Sequence, residues 1–421
     1  MTLNRPITLS TSGVALTILL LLGSPIAAQE WARFRGPNGT GLSAATTIPA
    51  QWTQADYNWR IQLPGSGHSS PVLWGRKIFV TAATATQFTV LGVDEQGGKI
   101  LWHRDYPHDG YALHKFSSFA SGTCAADDER LYFTRQDGKR WFINALTHAG
   151  DPVWEHSLGE LDSQHGSGHS PIVHGELVVV ANDQDLAGGI VALDRRTGQV
   201  RWTLARSAGM ADYSVPCVLE RVGQSPALIF NTHEDGINGV DPATGRLLWA
   251  TATNVLTMRS VSSPVVAGGL TFATCGSGAG GNYVIAVKPP AAGSSAATIQ
   301  YDVRKSAPYV PTPLALNDRL YLWSDGGIVT CLNPATGEQK WQERAGGNYF
   351  SSPVSAGGRI YGTTTSGEVV VLAAGDEFKV LARNQLGEQT HATPALANGK
   401  IYFRTWEHLI SLGGGKPPAV N

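Results

Sequence analysis

Charged side chains are scarce in this chain of 421 residues. Asp, Glu, Lys and Arg make up 15% of it, where about 25% is typical of globular proteins. The 32 basic and 33 acidic residues leave a formal net charge of -1 and form no long run of one sign. Without a strong electrostatic field, nucleic acid is not an expected partner.

Cysteine is also rare, and its spacing excludes several kinds of site. The four thiols are far apart and form no C-x-x-C metal pair, no C-x-x-C-H haem site and no adjacent pair. Each lies in an apolar, strand-like run, which favours buried free thiols over disulfides even in an exported protein. These cysteines are Cys124, Cys217, Cys275 and Cys331.

Long hydrophobic runs are missing except near the N-terminus. Residues 1–28 carry Arg5, an apolar stretch from Val14 to Leu22 and the small pair Ala27 and Ala28, as in a cleaved secretory signal peptide. A membrane anchor would need about 20 apolar residues. We therefore expect cleavage after Ala28, no membrane span afterwards and a periplasmic or secreted protein. No cysteine follows the stretch to accept a lipid.

Helical periodicity is absent as well. Apolar residues alternate or cluster in fours to sixes, and 49 glycines with 23 prolines interrupt them throughout. This pattern predicts an all-β architecture.

What the chain does contain is a recurring turn. An Asp or Asn begins it, a Gly follows four residues later and a Trp four residues after the Gly, a spacing typical of a hairpin whose second strand carries an aromatic residue. One Trp buries about 150 to 250 Å², enough to fill the gap between stacked sheets. The copies lead to Trp102, Trp202, Trp249 and Trp341, with a degenerate copy at Gly150 and Trp154.

A second signature precedes each unit: a polar residue, Pro, a few apolar residues and a β-prone run. It recurs at Pro71, Pro171, Pro216, Pro264, Pro313, Pro353 and Pro394, and aligning residues 129–133 with 75–79 places Ala125 at the eighth position. Pro is tolerated at the start of a strand. The 40 to 54 residues between starts leave room for four short strands.

The last unit has three strands, and Tyr57–Leu63 is an early strand with no neighbours. We expect this segment to supply the missing strand, with Trp59 as the aromatic residue. The predicted fold is an eight-bladed β-propeller of four-stranded antiparallel blades, closed by pairing of the N- and C-terminal strands. The predicted domains are the signal peptide 1–28, an N-terminal strap 29–56, the propeller 57–415 and a disordered tail 416–421.

The run from Ala192 to Trp202 resembles the docking motif of pyrroloquinoline-quinone (PQQ) type repeats, A-x-D-x-x-T-G-x-x-x-W. Copies extend from about residue 57 to 412. The fifth unit lacks the turn after Lys288 and has Tyr301 in place of Trp, and the seventh has Leu381 there, so we expect weaker docking at both. The opening segment 31–43 is also similar to exported PQQ-like propellers, and we interpret it as a surface strap rather than a cap.

The resemblance implies two classes of function. The family contains quinoprotein dehydrogenases, which use PQQ with Ca²⁺, and non-catalytic propellers such as a lipoprotein that assists outer-membrane protein assembly. The adjacent-Cys disulfide of the dehydrogenases is absent here, and no Glu, Asn and Asp set matches their Ca²⁺ ligands. We therefore predict no cofactor and no catalytic residue, with a PQQ-dependent oxidoreductase of alcohols or sugars as the alternative.

Residues just before each strand start are expected to surround the central channel. Such a polar and aromatic mouth suits a sugar, a peptide or a small ligand, although the same groups serve equally to satisfy strand ends and channel water. The candidate binding residues are His68, Ser69, Thr123, His169, Ser170, Tyr213, Tyr309, Tyr349 and His391.

Other local motifs carry less information. His165 and His169 near Asp183 and Asp185 resemble metal ligands, but they lie on a Gly-rich loop rather than on a helix face, and no metal site is predicted. The G-x-G-x-x-G run at 276–281 precedes a strand instead of a helix, which excludes dinucleotide binding. We predict a monomeric, non-enzymatic scaffold that binds a protein or carbohydrate partner outside the cytoplasm.

Overall fold

The computed structural model describes Met1 and residues 30–185, 188–207 and 209–415. The rest of the predicted signal peptide and the predicted tail 416–421 lie outside the described residues. In the part of the chain that is described, no helix is long and apolar enough to cross a membrane.

The chain forms eight antiparallel blades, which confirms the predicted β-propeller. Two strands come first, Leu42–Ser43 (β1) and Tyr57–Gln62 (β2), beside the short 3₁₀ helices Pro37–Gly39 and Gln54–Asp56. Blade 1 is Val72–Trp74 (β3), Lys77–Ala83 (β4), Gln87–Asp94 (β5) and Ile100–Pro107 (β6); blade 2 is Ala125–Ala126 (β7), Arg130–Asp137 (β8), Arg140–Thr147 (β9) and Pro152–Glu160 (β10); blade 3 is Ile172–His174 (β11), Leu177–Ala181 (β12), Gly188–Asp194 (β13) and Val200–Arg206 (β14); blade 4 is Cys217–Leu219 (β15), Ala227–Thr232 (β16), Gly236–Val240 (β17) and Leu247–Ala250 (β18).

The second half of the chain repeats this order. Blade 5 is Val265–Ala267 (β19), Leu270–Cys275 (β20), Tyr283–Lys288 (β21) and Thr298–Val303 (β22); blade 6 is Leu314–Leu316 (β23), Arg319–Trp323 (β24), Ile328–Leu332 (β25) and Gln339–Arg344 (β26); blade 7 is Val354–Ala356 (β27), Arg359–Thr363 (β28), Glu368–Ala373 (β29) and Val380–Gln385 (β30); blade 8 is Ala395–Ala397 (β31), Lys400–Arg404 (β32), His408–Gly413 (β33) and the early strand β2.

Burial follows the position of a strand in its blade. The middle strands β4 and β5 are buried over nearly their whole length, whereas the outer strand β6 alternates between half-buried and exposed residues. A middle strand packs on both faces against neighbouring blades, and an outer strand packs on one face. The apolar clusters accordingly join adjacent blades: one contains Phe79 of blade 1 with Phe133 of blade 2.

The turn between the third and fourth strands of a blade packs against the aromatic residue of the preceding blade at most of the interfaces. In blade 1, the Gly98 N–H donates to the Asp94 carbonyl at 2.9 Å, and Gly98 has a φ of 72°. The Trp of the preceding blade lies on this glycine: a Cβ on Gly98 would approach the Trp59 ring to 2.6 Å. The indole N–H then donates to a carbonyl of the same turn; these pairs are Trp59 with Glu95, Trp102 with His148, Trp154 with Arg195, Trp202 with Pro242 and Trp341 with Gly375.

The early strand β2 and the last strand β33 meet in blade 8, as predicted. Strand β2 pairs antiparallel with β33, with Trp59 opposite Ser411 and Arg60 opposite Ile410. Trp59 holds the register position that Trp341 holds in blade 6, where it faces Cys331. The inner strand of blade 8 also contacts that of blade 1.

Blades 5 and 7 depart from the repeat for identifiable reasons. Tyr301 replaces Trp in blade 5, and its hydroxyl donates to the Pro334 carbonyl at 2.6 Å. In blade 7 the equivalent residue, opposite Val371, is Ala382, so the assignment of Leu381 to this position was wrong by one residue. The outer strand of blade 8 comes from the N-terminal segment, so no Asp-to-Gly turn connects β33 to that strand. Blade 8 therefore offers no such turn against which an aromatic residue of blade 7 could pack.

Blade 2 needs a similar correction. Ala125 faces Tyr132 just as Val72 faces Phe79, so Cys124, not Ala125, is equivalent to Pro71. Thr123 is then equivalent to Ser70. All four cysteines are free and buried, as predicted.

A circle of hydrogen bonds runs around the channel just before the inner strands. The residue at this position donates its backbone N–H to the Ser or Thr hydroxyl at the same position in the next blade, over 2.9 to 3.2 Å. Valine has no hydroxyl, so the circle is interrupted between blades 3 and 4. The positions are Ser70, Thr123, Ser170, Val215, Ser263, Thr312, Ser352 and Thr393.

The N-terminal segment 31–43 crosses one end of the channel, which we call the strap face, and its Trp31, Arg33 and Arg35 are buried there, contrary to the surface-strap interpretation. Trp31 is fully buried and exchanges two backbone hydrogen bonds with Leu73. Arg33 donates to the Pro216 carbonyl, and Arg35 donates to the carbonyls of Pro313 and Pro353. Strand β1 adds in parallel to β27. The segment thus bonds to inner strands on opposite sides of the ring.

Candidate functional site

The opposite end of the channel, the mouth face, is formed by the segments that lead into each inner strand. Chain direction places these segments together, because every outer strand ends on this face and every inner strand begins there. The Asp-to-Gly turns and the strap lie on the other face. The two ends of the channel therefore differ: one is bonded to the chain's own N-terminal segment, and the other is formed by loops.

One of these loops, residues 108–121 between blades 1 and 2, reaches across the mouth. Its Phe116 ring lies 5.1 Å from Phe350 of the blade 7 connection, and the Phe116 carbonyl is 3.2 Å from Nδ1 of His391, before blade 8. Its His114 ring lies 4.7 Å from His165, before blade 3. Blades 3 and 7 lie on opposite sides of an eight-bladed ring, so the loop crosses the channel axis.

The loop completes a row of nine aromatic rings across the mouth. Neighbouring ring centroids are 4.1 to 6.3 Å apart, and all pairs except His68 with His391 lie within the range of about 4.5 to 7 Å that aromatic contacts favour. Phe116 and His114 of the loop lie at its centre, and five of the nine rings are imidazoles. In spatial order the row is Trp406, His68, His391, Phe116, His114, His165, Tyr213, His169 and Trp141.

The base of this loop packs against the Gly-rich run from His165 to His169, which we call the Gly166 seat. A Cβ on Gly166 would approach the Tyr111 ring to 2.5 Å, and Gly166 has a φ of 73°. A Cβ on Gly168 would lie 3.0 Å from the Tyr213 ring. The glycines therefore allow Tyr111 and Tyr213 to approach the backbone closely.

Burial lowers the pKa values of His68, His165, His169 and His391. It lowers the pKa of His169 to about 4; Nε2 of this ring lies 3.1 Å from the Asp183 carbonyl. It likewise holds the pKa of His68 well below its ordinary value, and the nearby His391 and Arg404 add to that shift. His68 and His391 stack at 4.1 Å, a contact that two imidazolium ions would oppose.

A polar cluster occupies the blade 3 to blade 6 side of the mouth. Arg259 donates to the Ala211 carbonyl at 2.7 Å and lies 2.7 Å from Nε2 of His165. Burial, followed by the charges of Arg259 and His114, lowers the pKa of His165 to about 4. The backbone N–H of Tyr309 donates to Asp325 at 2.6 Å, and the Tyr213 hydroxyl bonds to that of Ser163.

The structure brings only some of the nine candidate residues to this surface. His68, Tyr213, Tyr309 and His391 are partly exposed at the mouth, and His169 lies buried beneath it. Ser69, Thr123 and Ser170 are buried in strand-end hydrogen bonds. Tyr349 is fully buried in the cluster of blades 6 and 7, with its ring 5.1 Å from Trp323.

The described residues provide no group of three or more His, Cys, Asp or Glu side chains placed to hold a metal ion. The carboxylates next to the mouth are engaged within the protein: Asp183 bonds to Arg206, and Asp212 accepts the backbone N–H groups of His233 and Ser260. A Ca²⁺ ion beside PQQ would need oxygen ligands, and these side chains do not form such a set.

Sequence reasoning missed the residues that cross the mouth. The 108–121 segment is a long connection between blades 1 and 2, and its Phe116, His114 and Tyr111 belong to no repeat. Arg259 and Trp406 likewise precede or follow strands without a recurring pattern. The length and aromatic content of these connections were the available signals, but the partners of their residues are about 50 to 340 residues away in sequence.

Comparison with known proteins supports the repeat assignment. The PQQ_2 family model, described as outer membrane protein assembly factor BamB, matches residues 46–164, 86–343 and 325–412. No curated protein matches the chain significantly.

Solved structures share the fold at low identity. BamB from Moraxella catarrhalis is 17% identical with a TM-score of 0.60, covering 84% of this chain and 98% of that one. Quinohemoprotein alcohol dehydrogenase from Comamonas testosteroni is 13% identical with a TM-score of 0.63, covering 93% and 82%. A computationally designed protein, Ika8, is 12% identical with a TM-score of 0.59, covering 84% and 98%.

Proposed function

This chain belongs to the family described as outer membrane protein assembly factor BamB, and on that basis we propose that it is an exported, non-enzymatic propeller that binds a polypeptide partner at its mouth face. The family description names an assembly factor, which favours a protein partner over a carbohydrate. The solved neighbours support the fold and leave both a scaffold and an oxidoreductase open.

The observation that carries the proposal is the difference between the two ends of the channel. On the strap face, segment 31–43 already bonds to the inner strands. On the mouth face, Phe116 is 47% exposed near the axis, beside partly exposed His391 and Phe350. Exposed aromatic side chains grouped among polar residues are typical of protein-binding surfaces.

Photo-crosslinking tests which face meets the partner. A photoreactive amino acid would replace Lys115 or Asn348, both exposed on the mouth face, and Asp128, exposed in the hairpin on the strap face, would be the matched control. We expect protein adducts from the two mouth positions and none from position 128. Adducts from position 128 alone, or from none of the three, would overturn the proposal, and selective binding of a glycan at the mouth would replace the protein partner with a carbohydrate.

A separate measurement addresses the oxidoreductase. Purified protein would be mixed with PQQ and Ca²⁺, and its melting temperature and dye reduction with alcohols and sugars would be followed. We expect neither a shift nor turnover. A raised melting temperature together with dye reduction would favour the quinoprotein alternative.

A further inference from the structure

Phe116 occupies a notch that two other connections form. Its ring meets Phe350 at 5.1 Å and His391 at 6.3 Å with interplanar angles of 66° and 69°, and Phe350 meets His391 at 4.9 Å and 85°. All three contacts are edge-to-face, the geometry that aromatic rings favour through their quadrupoles. The notch is thus shaped for an aromatic ring.

The backbone of Phe116 is recognised as well. Nδ1 of His391 lies 3.2 Å from the Phe116 carbonyl, and the ring donates this hydrogen bond when the proton is on Nδ1. Every peptide carries such a carbonyl. Side chain and backbone together therefore define a site for one aromatic residue within a polypeptide.

The loop that fills the notch is lightly attached at its tip. Among the described residues, the backbone of the tip from 112 to 116 shares one hydrogen bond with the blade connections, the one between the Phe116 carbonyl and His391. Phe116 is 47% exposed, and Ala112 and Lys115 are exposed. Tyr111, at the base, packs against the Gly166 seat. The tip can therefore leave the notch while the base of the loop stays in place.

Building on the proposed binding function, we propose that the notch of Phe350 and His391 accepts an aromatic side chain of the partner polypeptide, and that Phe116 is an internal competitor which the partner displaces. While Phe116 occupies the notch, a partner residue cannot bind there, so the apparent affinity for the partner is reduced in proportion to the fraction of molecules in which the notch is free. Removing the Phe116 ring therefore strengthens binding of an external aromatic residue.

The test uses the loop's own sequence as the probe. Acetyl-Leu-His-Lys-Phe-Ser-amide, which copies residues 113–117, would be titrated into the full mature chain by calorimetry, beside versions with Leu or Ala in place of Phe. The proteins would be the wild type, Phe116→Ala and the combination of Phe116→Ala with His391→Ala. His103→Ala, an exposed histidine on outer strand β6, is the matched control.

We expect Phe116→Ala to bind the Phe peptide roughly tenfold more tightly than the wild type does, the size of one good aromatic contact. The Leu and Ala peptides should bind more weakly, and His391→Ala should abolish the gain. Equal binding of the three peptides, or no gain from Phe116→Ala, would overturn the inference. Melting curves check folding, and replacement of residues 113–116 by Gly-Ser-Gly-Ser provides a second open notch.

The two proposals can fail separately. Partner adducts at positions 115 and 348 without any gain from Phe116→Ala would leave the binding function standing and remove the internal competitor. A selective peptide gain without partner adducts would do the reverse.

Discussion

The indole N–H of Trp59 donates to the Glu95 carbonyl at 3.1 Å, and through this bond the first long strand of the chain docks blade 8 onto blade 1. The Glu95 side chain is also held by blade 8, because Lys400 and Tyr402 both bond to its carboxylate. The closing interface thus uses the same indole and turn contact as the interfaces inside the chain, and it also contains an ion pair, as do the interfaces of blade 2 with blade 3 and of blade 6 with blade 7. Because Glu95 is only 2% exposed, solvent screens its ion pair with Lys400 little.

Replacing Trp59 by Ala should destabilise the whole ring. We expect a loss of about 2 to 3 kcal/mol in the free energy of unfolding, because the half-buried ring and its contact with Gly98 disappear. Denaturant unfolding followed by fluorescence and circular dichroism measures the loss. Trp59→Phe, which keeps a ring, should lose less, and an unchanged midpoint for Trp59→Ala would contradict the closure.

Trp202 and Trp249 offer a matched pair that isolates the indole hydrogen bond. Trp202 donates to the Pro242 carbonyl at 2.9 Å, whereas the Trp249 N–H finds no acceptor among the described residues. Both side chains are buried. Trp202→Phe should therefore cost about 1 kcal/mol more than Trp249→Phe, measured by denaturant unfolding; equal costs would indicate that the bond adds nothing.

Val215→Thr should repair the interrupted circle of hydrogen bonds. Threonine matches valine in shape and supplies the hydroxyl that the Ser170 N–H lacks, so we expect a gain of about 0.5 to 1 kcal/mol. Thermal melting measures it. The control is Val218→Thr, in strand β15 directly after Val215 and outside the circle, which should not stabilise the protein. A destabilised Val215→Thr would show that the new hydroxyl faces no donor.

Gly166→Ala should release the loop across the mouth. The new Cβ would lie 2.5 Å from the Tyr111 ring, so the loop has to move away. Trypsin should then cleave after Lys115 faster than in the wild type. Gly159→Ala carries a similar backbone strain, with φ at 93°, but meets nothing within 4 Å, and we expect its cleavage rate to match the wild type.

His169 should make stability depend on pH. Burial lowers its pKa from 6.5 to about 4, so the folded state binds fewer protons than the unfolded state between these values. Its stabilising contribution is complete above about pH 6.5 and is lost as the pH falls toward 4. The free energy of unfolding of His169→Gln should fall less steeply over this window than that of the wild type; parallel slopes would contradict the shift.

The sequence by itself determined the ring. The Asp-to-Gly turn, the Trp four residues later and the Pro before each inner strand are local signals, repeated at fixed offsets, and each determines backbone shape or one packing contact. Their repetition was sufficient to predict eight blades and the role of Trp59. Where a copy of these signals is degenerate, as at Ala125 and Leu381, the predicted register was wrong by one residue.

Only the tertiary structure decided that segment 31–43 lies at the strap face and that the loop 108–121 crosses the mouth face. Arg35 reaches carbonyls about 300 residues away, and Phe116 meets His391 at a comparable separation. Neither residue belongs to a repeat, so no periodic signal marks its partner. Contacts that occur once, between residues distant in the chain, form only because the closed ring brings those residues together. For this reason, the position of the N-terminal segment on the strap face and that of the loop across the mouth could not be predicted from the sequence.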